Sequence, residues 1–221
     1  MRMLRILLLT WEYPPRIVGE LAFAVRDLSE GLRKLGVETI IVTLADSPVA
    51  LGVEDKGIGN SGIGSLQIIR VGNPVGTHIH ILTWAMTLMT EFERVSAEVY
   101  YRLNGNIDLV DAHEWLCVTA ALNLKDSLNL PFVFSIHSTE AQRSLGSKGP
   151  LSQAIKSIEA IGFGEASRVI VGSQEKKIHL ISDYGVPPEK IDIADAFRAE
   201  EVFRIYASVT GNIKEPGLPR G

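Results

Sequence analysis

The sequence predicts an α/β fold: a Rossmann-like, doubly wound, mainly parallel sheet with helices on both faces. Three observations carry that expectation. Short apolar runs alternate with longer stretches of helical spacing from the N-terminus to about residue 193. Residues 4–9 are apolar apart from Arg5, as in a central parallel strand covered on both faces. Two further short runs, residues 107–112 and 132–136, are separated by a single helical stretch at 115–128. So short a connection makes a βαβ unit with parallel, neighbouring strands.

In chain order, residues 4–9 form the first strand, and the loop 11–19 follows, stiffened by Pro14 and Pro15. A helix is expected over about 20–35, where Leu21, Val25, Leu28, Leu32 and Leu35 recur at helical spacing and Gly36 ends the run. Residues 37–44 are the second strand, completing a first βαβ unit. Residues 45–65 are expected to be loop. They contain Gly57-Ile58-Gly59-Asn60-Ser61-Gly62, which spells Gly-x-Gly-x-x-Gly. A dinucleotide site needs a strand before that motif and a helix after it. Here Val53-Glu54-Asp55-Lys56 precedes it and a strand, residues 66–71, follows, so it reads as a surface turn.

A long helix is expected from 79 to about 103, with Trp84, Met86, Met89, Phe92, Val95, Val99 and Tyr100 as its core face. Asn104-Gly105-Asn106 stops it. His78 and His80 stand two apart just before it, with no third ligand nearby, so they read as a helix start rather than a metal site. Past the central βαβ unit come a polar loop at 141–150, a helix at 151–163 and a strand at 168–171. Gly172-Ser173-Gln174 opens a helix that reaches about Tyr184, residues 186–190 turn, and 190–193 form a last short strand. The Rossmann-like domain is thus expected over residues 1–195. Residues 196–221 are expected as a helical segment and a tail, poorly ordered from Ala207 onward, where Gly211, Pro216, Gly217, Pro219 and Gly221 accumulate.

Composition narrows the function classes. The chain has 221 residues, 46% hydrophobic and 22% charged, with a formal net charge of -4 and the two signs interspersed, which offers no nucleic-acid surface. One cysteine, Cys117, excludes a disulfide within the chain and fits a reducing, cytoplasmic compartment. Its place in a helix reads as buried packing. The N-terminal apolar run is too short for a signal peptide and lacks a small-residue cleavage site. No run reaches the ~20 apolar residues of a membrane span.

In doubly wound sheets ligands sit outside the carboxyl ends of the strands. The ends of the central pair bring His113, Glu114 and Trp115 together with His137, Ser138, Thr139 and Glu140. His113 or His137 can donate to a sugar hydroxyl or to developing charge, Glu114 can accept from a hydroxyl, and Trp115 can stack on the apolar face of a sugar. For either histidine alone, capping of a strand end is the plainer reading, and a tryptophan in a first helical turn is often core. Two clusters on adjoining strands favour a site. In the first loop, Gly19 lets the backbone of a helix N-terminus approach a phosphate. Glu20 sets a carboxylate at the same point, and an ordinary tight turn is an equally open reading. No Ser/His/Asp triad, Cys/His pair or metal spacing stands out.

In order and spacing, several segments resemble the N-terminal half of the glycogen and starch synthases and their retaining glycosyltransferase relatives. They are Trp11-Glu12-Tyr13-Pro14-Pro15-Arg16-Ile17-Val18-Gly19, Leu32-Arg33-Lys34-Leu35-Gly36-Val37-Glu38 and Asp111-Ala112-His113-Glu114-Trp115. Residues 131–140, 168–173 and 184–191 complete the set, so the likeness runs from about residue 4 to 193. The resemblance implies a GT-B enzyme: two Rossmann-like domains facing a cleft, no cofactor and no essential metal. It implies transfer of a hexose from a nucleotide sugar, ADP- or UDP-glucose, to an α-glucan or other sugar acceptor held by the N-terminal domain. By the same resemblance His137 and Glu114 are the catalytic candidates. Arg16, Gly19, His113, Trp115, Ser138 and Thr139 are the substrate-binding candidates.

Three departures accompany the match. The synthases carry a lysine two residues before a glycine pair, where this chain has Ile17 with Arg16 one step earlier. Glu20 replaces the second glycine of the pair. The sequence also diverges at residues 191–197, where the linker to a donor domain is expected, and about thirty residues remain. The expectation is therefore an isolated acceptor half that lacks the C-terminal donor domain and is inactive unless a separate donor-domain polypeptide partners it. The alternatives are a non-catalytic glucan-binding or regulatory module, a truncated fragment that pairs with a full-length synthase or a separate donor domain, and an unrelated nucleotide-binding α/β domain.

Overall fold

A computed structural model describes residues 3–46, 51–55, 64–75 and 80–211. Among these residues the chain forms one sheet of eight strands in the order β3-β4-β2-β1-β5-β6-β7-β8. The strands are β1 (Arg5–Leu9), β2 (Glu38–Leu44), β3 (Leu51–Asp55), β4 (Leu66–Val71), β5 (Leu109–His113), β6 (Phe132–Ile136), β7 (Arg168–Val171) and β8 (Ile191–Ile193). All pairings are parallel except that of β3 with β4. The helices are α1 (Leu21–Lys34), α2 (Ile81–Arg102), α3 (Val118–Leu128), α4 (Glu140–Arg143), α5 (Pro150–Glu165), α6 (Gln174–Tyr184) and α7 (Ala199–Thr210). A single tight helical turn, Trp115–Cys117, leads into α3.

Strand β1 shows why the sheet is covered on both faces. Ile6, Leu7, Leu8 and Leu9 are all fully buried, and successive strand side chains point to opposite faces. Leu7 and Leu9 join the core formed with α2, α3 and α5. Ile6 and Leu8 meet the residues of α1 and α7 on the other face. The helix ends follow local chemistry. Asn129 after α3 and Gly185 after α6 adopt the left-handed conformation that ends helices, and the Ser173 hydroxyl caps the start of α6.

The chain steps from β1 through β2 to β4 on one side, and from β5 through β8 on the other. The topological switch point therefore lies between β1 and β5. There the registers Leu9↔Ala112 and His113↔Ser135 put the ends of β1, β5 and β6 side by side.

Several expectations are corrected. The span 45–65 is not loop throughout, because β3 pairs antiparallel along β4. The sequence of β3, Leu51-Gly52-Val53-Glu54-Asp55, has neither the apolar run nor the alternation that marks a strand. The polar stretch 141–150 is not all loop, because α4 forms at its start under a capping box between Thr139 and Gln142. Helical order does not stop at Ala207 but continues to Thr210, because α7 buries Val202, Ile205 and Tyr206 against the sheet. It also crosses α1 so closely that a Cβ on Gly31 would stand 2.5 Å from that of Ala199. His80 sits at the N-cap of α2, its Nδ1 accepting from the Leu82 N–H. The Gly57–Gly62 motif, His78 and the tail beyond residue 211 lie outside the described residues.

Candidate active site at the strand ends

A cavity of about 600 Å³ opens at the carboxyl edge of the sheet, over the ends of β1, β5, β6 and β7. Its wall includes Glu12 and Gly19 from the first loop, Glu114 and Trp115 after β5, and His137 and Ser138 after β6. Arg143, Lys176 and Phe197 close the sides.

The β5–β6 side is a chain of hydrogen bonds. Asp111 and His113 stand two apart on one strand and so share a face. Both are fully buried. Asp111 Oδ1 accepts from the Ser135 hydroxyl at 2.8 Å. Its Oδ2 meets His113 Nε2 at 3.0 Å and accepts from the hydroxyl of Tyr206 on α7. His113 Nδ1 stands 3.0 Å from His137 Nε2. The His137 ring stacks on Phe197, with centroids 3.9 Å apart. Burial holds the His137 imidazole well below its usual pKa, with His113 and Lys176 adding to the effect, so the ring is neutral near pH 7.

Glu114 organises the backbone of this side. It has φ 68°, a left-handed conformation uncommon for a non-glycine residue. Its Oε1 accepts from the N–H groups of His137 and Ser138 at 2.7 and 2.9 Å, and Oε2 accepts from Arg143 at 2.8 Å. Burial nevertheless raises its pKa above the usual carboxylate value, against the pull of Arg143 and the two amides. Arg143 also bonds the Ser138 carbonyl and hydroxyl and the buried Glu159. Glu159 in turn accepts from the Glu140 N–H and from the Tyr184 hydroxyl. Thr139 caps α4 and lies 2.7 Å from His179 Nε2.

The first loop is built differently. Glu12 is 3% exposed and turns its Oε2 onto the N–H groups of Val18 and Gly19, at 2.7 and 2.8 Å. The two amides that a glycine loop would offer to a phosphate are thus already filled by the chain's own carboxylate. Glu20 is the N-cap of α1 and makes no side-chain capping bond. Arg16 does not join the cavity wall. It pairs with the exposed Asp46 at 3.1 Å.

Of the residues singled out from the sequence, His137, Glu114, Trp115, Ser138 and Gly19 line the cavity. His113 and Thr139 stand directly behind the wall, and Arg16 points elsewhere. Glu12, Asp111, Arg143, Lys176 and Phe197 were not foreseen. Asp111 was within reach of a sequence reading, since it precedes His113 by two on a strand. Arg143, Lys176 and Phe197 arrive from separate elements, and no local pattern announces them. The Lys176 ammonium makes no hydrogen bond or ion pair among the described residues, so a cation stands in the cavity wall near the neutral imidazole. Cys117 is buried, which raises its thiol pKa and leaves it inert as a nucleophile. Among the described residues no group of three or more His, Cys, Asp or Glu side chains is arranged to hold a metal.

The arrangement suits a polyhydroxylated ligand. It offers a buried tryptophan, hydroxyls, a neutral histidine and two cations within one concave site.

Residues 21–194 match the family model described as Glycosyltransferase Family 4. The chain is 33% identical over 195 residues to an uncharacterized glycosyltransferase of Methanocaldococcus jannaschii, across 86% of this chain and 45% of that protein. It is 26% identical over 191 residues to the glycogen synthase of Mycobacterium tuberculosis, across 82% of this chain and 45% of that one. The chain thus spans a little under half the length of these relatives. Its fold is similar to sucrose-phosphate synthase from Thermosynechococcus elongatus, with a TM-score of 0.61 at 16% identity over 82% of this chain and 45% of that one. It is also similar to the catalytic domain of starch synthase IV from Arabidopsis thaliana, solved bound to ADP and acarbose, with a TM-score of 0.52 at 14% identity over 86% of this chain and 51% of that one.

Proposed function

The chain belongs to glycosyltransferase family 4, and from that premise we propose that it is the acceptor-side half of a glycogen/starch synthase-like hexosyltransferase. The proposed reaction moves a hexosyl unit from a nucleotide sugar, ADP- or UDP-glucose, to an α-glucan or another sugar acceptor. The observation that carries this reading is the position of His137. A neutral imidazole stands at the end of β6, one strand from the topological switch point, on a cavity wall whose backbone Glu114 holds in place. The relatives named above support the substrate classes. One is a glycogen synthase, and a structural neighbour was solved with ADP and acarbose.

In this reading His137 contacts the transferred sugar. Glu114 sets the His137–Ser138 backbone rather than acting as an open carboxylate, because both of its oxygens are engaged. Trp115 and Ser138 meet the acceptor, His113 supports His137, and Thr139 supports α4. Donor chemistry comes from a C-terminal donor domain, in a separate polypeptide where the chain acts as the isolated half. A cytoplasmic setting fits the single, buried cysteine. Among the described residues no helix is long and apolar enough to cross a membrane. No cofactor or metal is assigned a role.

A second reading, a non-catalytic glucan-binding or regulatory module, is favoured by Glu12. Its carboxylate occupies the Val18 and Gly19 amides that a donor phosphate would need.

Calorimetric titration with maltoheptaose tests the common part of both readings. We expect saturable binding that His137→Ala and Trp115→Ala each weaken about tenfold, a loss of one good contact. Absence of heat from a chain shown to be folded overturns the glucan site. Transfer of labelled glucose when a donor-domain polypeptide is added separates the enzyme half from the module.

A further inference from the structure

We infer that Asp111, held in place by Ser135 and Tyr206, is a positioning residue that fixes the proton of His137 on Nε2. His137 then meets a ligand as a hydrogen-bond acceptor at Nδ1 and selects a hydroxyl donor, the chemistry of a sugar. The inference deepens the proposed function and rests on it for the ligand class alone.

The geometry leaves little freedom. An ionised carboxylate only accepts hydrogen bonds. Asp111 is fully buried and its two oxygens face three groups: the Ser135 hydroxyl, the Tyr206 hydroxyl and His113 Nε2. Each must therefore present a proton. For Tyr206, burial raises the phenol well above its usual pKa, and the nearby Asp111 charge adds to this, so the hydroxyl stays protonated. His113 accordingly carries its proton on Nε2. We take each ring to carry a single proton, so the other His113 nitrogen is a lone pair. His113 Nδ1 faces His137 Nε2 at 3.0 Å, and two lone pairs at that distance would repel. On that premise His137 donates there, which puts its proton on Nε2 and its lone pair on Nδ1.

Three further observations fit this wiring. No described residue hydrogen-bonds His137 Nδ1, so the remaining acceptor is left for something else. The ring lines the cavity. Its face is held against Phe197 at 3.9 Å, and its backbone N–H is held by Glu114, so one face of the ring and the main chain that carries it are both fixed. A ligand oxygen that bears no hydrogen, such as a carbonyl or a fully ionised phosphate, finds no donor on this ring. A hydroxyl does. Asp111 thus sets the polarity of the site from two residues away, through His113.

Tyr206 joins the system from α7, 95 residues further along the chain. The helix that closes one face of the sheet is in this way wired to the cavity on the strand ends.

The test is long-range proton–nitrogen NMR of the ligand-free chain with ¹⁵N-labelled histidines. The sequence holds only five, and the two signals are assigned by difference against His137→Gln and His113→Gln. The expected spectrum shows a pyrrole-type Nε2 and a pyridine-type Nδ1 at both His113 and His137. Asp111→Ala removes the acceptor, and the single tautomer at both rings is lost. Asp111→Asn keeps an oxygen toward His113 and Tyr206 while its amide meets the Ser135 hydroxyl, so the tautomers are retained. A proton on Nδ1 of His137 in the wild-type chain overturns the inference, whether or not any variant folds. So does an unchanged spectrum in a folded Asp111→Ala. Because no ligand is present, either failure leaves the glucan reading standing. A chain that binds no maltoheptaose leaves the tautomer result standing.

Discussion

Glu12 and Glu114 each close on two consecutive backbone amides at the carboxyl edge of the sheet, and the two clasps differ in reach. Glu12 holds Val18 and Gly19, six and seven residues away, and ties one loop to itself. Glu114 holds His137 and Ser138, 23 and 24 residues away, and so ties the end of β5 to the end of β6. Its other oxygen continues through Arg143 to the buried Glu159. The local clasp consumes a place where an anion could sit. The long-range clasp builds a wall on which a neutral histidine is displayed. The same chemical device therefore fills the amides of one loop and, across two strands, fixes a wall of the cavity.

The contrast predicts unequal costs. Glu114→Ala strands two part-buried amides and leaves Arg143 between fewer acceptors. The expected loss is about 3 kcal/mol of unfolding free energy, in the range for breaking a buried pair. Glu12→Ala strands two amides on an exposed loop that water can reach, and the expected loss is about 1 kcal/mol. Urea unfolding of both variants checks the order. A larger cost for Glu12→Ala would break the comparison.

Glu12→Ala also sharpens it. With the carboxylate gone, the Val18 and Gly19 amides face the cavity free, and pyrophosphate binding should tighten about tenfold, the worth of one charge-assisted hydrogen bond. Glu114→Ala should show no such gain. Equal pyrophosphate binding in the Glu12→Ala and wild-type chains would mean that Glu12 is not what keeps phosphate out.

The pH dependence separates His137 from Glu114. His137 is depressed well below its usual 6.5, so its stabilising contribution is present above pH 6.5 and is lost as pH falls below it, because only the unfolded chain takes up that proton. Glu114 and Glu159 are raised above 4.5. Their contribution is complete below pH 4.5 and is lost as pH rises through their folded values. The two effects have opposite signs where they overlap, above 4.5 and below 6.5. Removing the histidine alone, as His137→Gln, should make stability fall less steeply on acidification below 6.5, by up to about 1.4 kcal/mol per pH unit. Urea midpoints at several pH values read this directly, and parallel curves for the two chains would contradict it.

Arg16 marks the small end of the scale. Its pair with Asp46 is solvent-accessible, and Arg16→Ala should change stability by less than about 0.5 kcal/mol and leave sugar binding unchanged.

The same contrast accounts for what the sequence disclosed. The strands of the parallel sheet were legible because burial on both faces demands apolar residues in runs. The strand-end cluster was legible because histidines at the ends of two adjoining strands share an edge by topology alone. In the first loop, attention falls on Gly19 and Glu20, the residues at the mouth of the helix, while the residue that decides the loop's chemistry is Glu12. No spacing rule marks a carboxylate that folds back on its own loop. Strand β3 was hidden because its pairing with β4 comes from a tertiary partner and not from its own pattern. The reach of α7 to Thr210 was hidden because glycines and prolines dominate the residues after it, although Val202, Ile205 and Tyr206 carry helical spacing. Tyr206 meeting Asp111 is a contact across 95 residues, beyond any local signal.

The most direct measurement is an amide NMR titration of the wild-type chain with maltoheptaose. The account predicts saturable shifts concentrated at residues 113–116, 136–139 and 172–176, the ends of β5, β6 and β7 around the cavity, with residues 12–20 changing little. Shifts centred on residues 12–20, with the β5–β6 ends silent, would place the ligand at the loop that Glu12 closes and contradict the account.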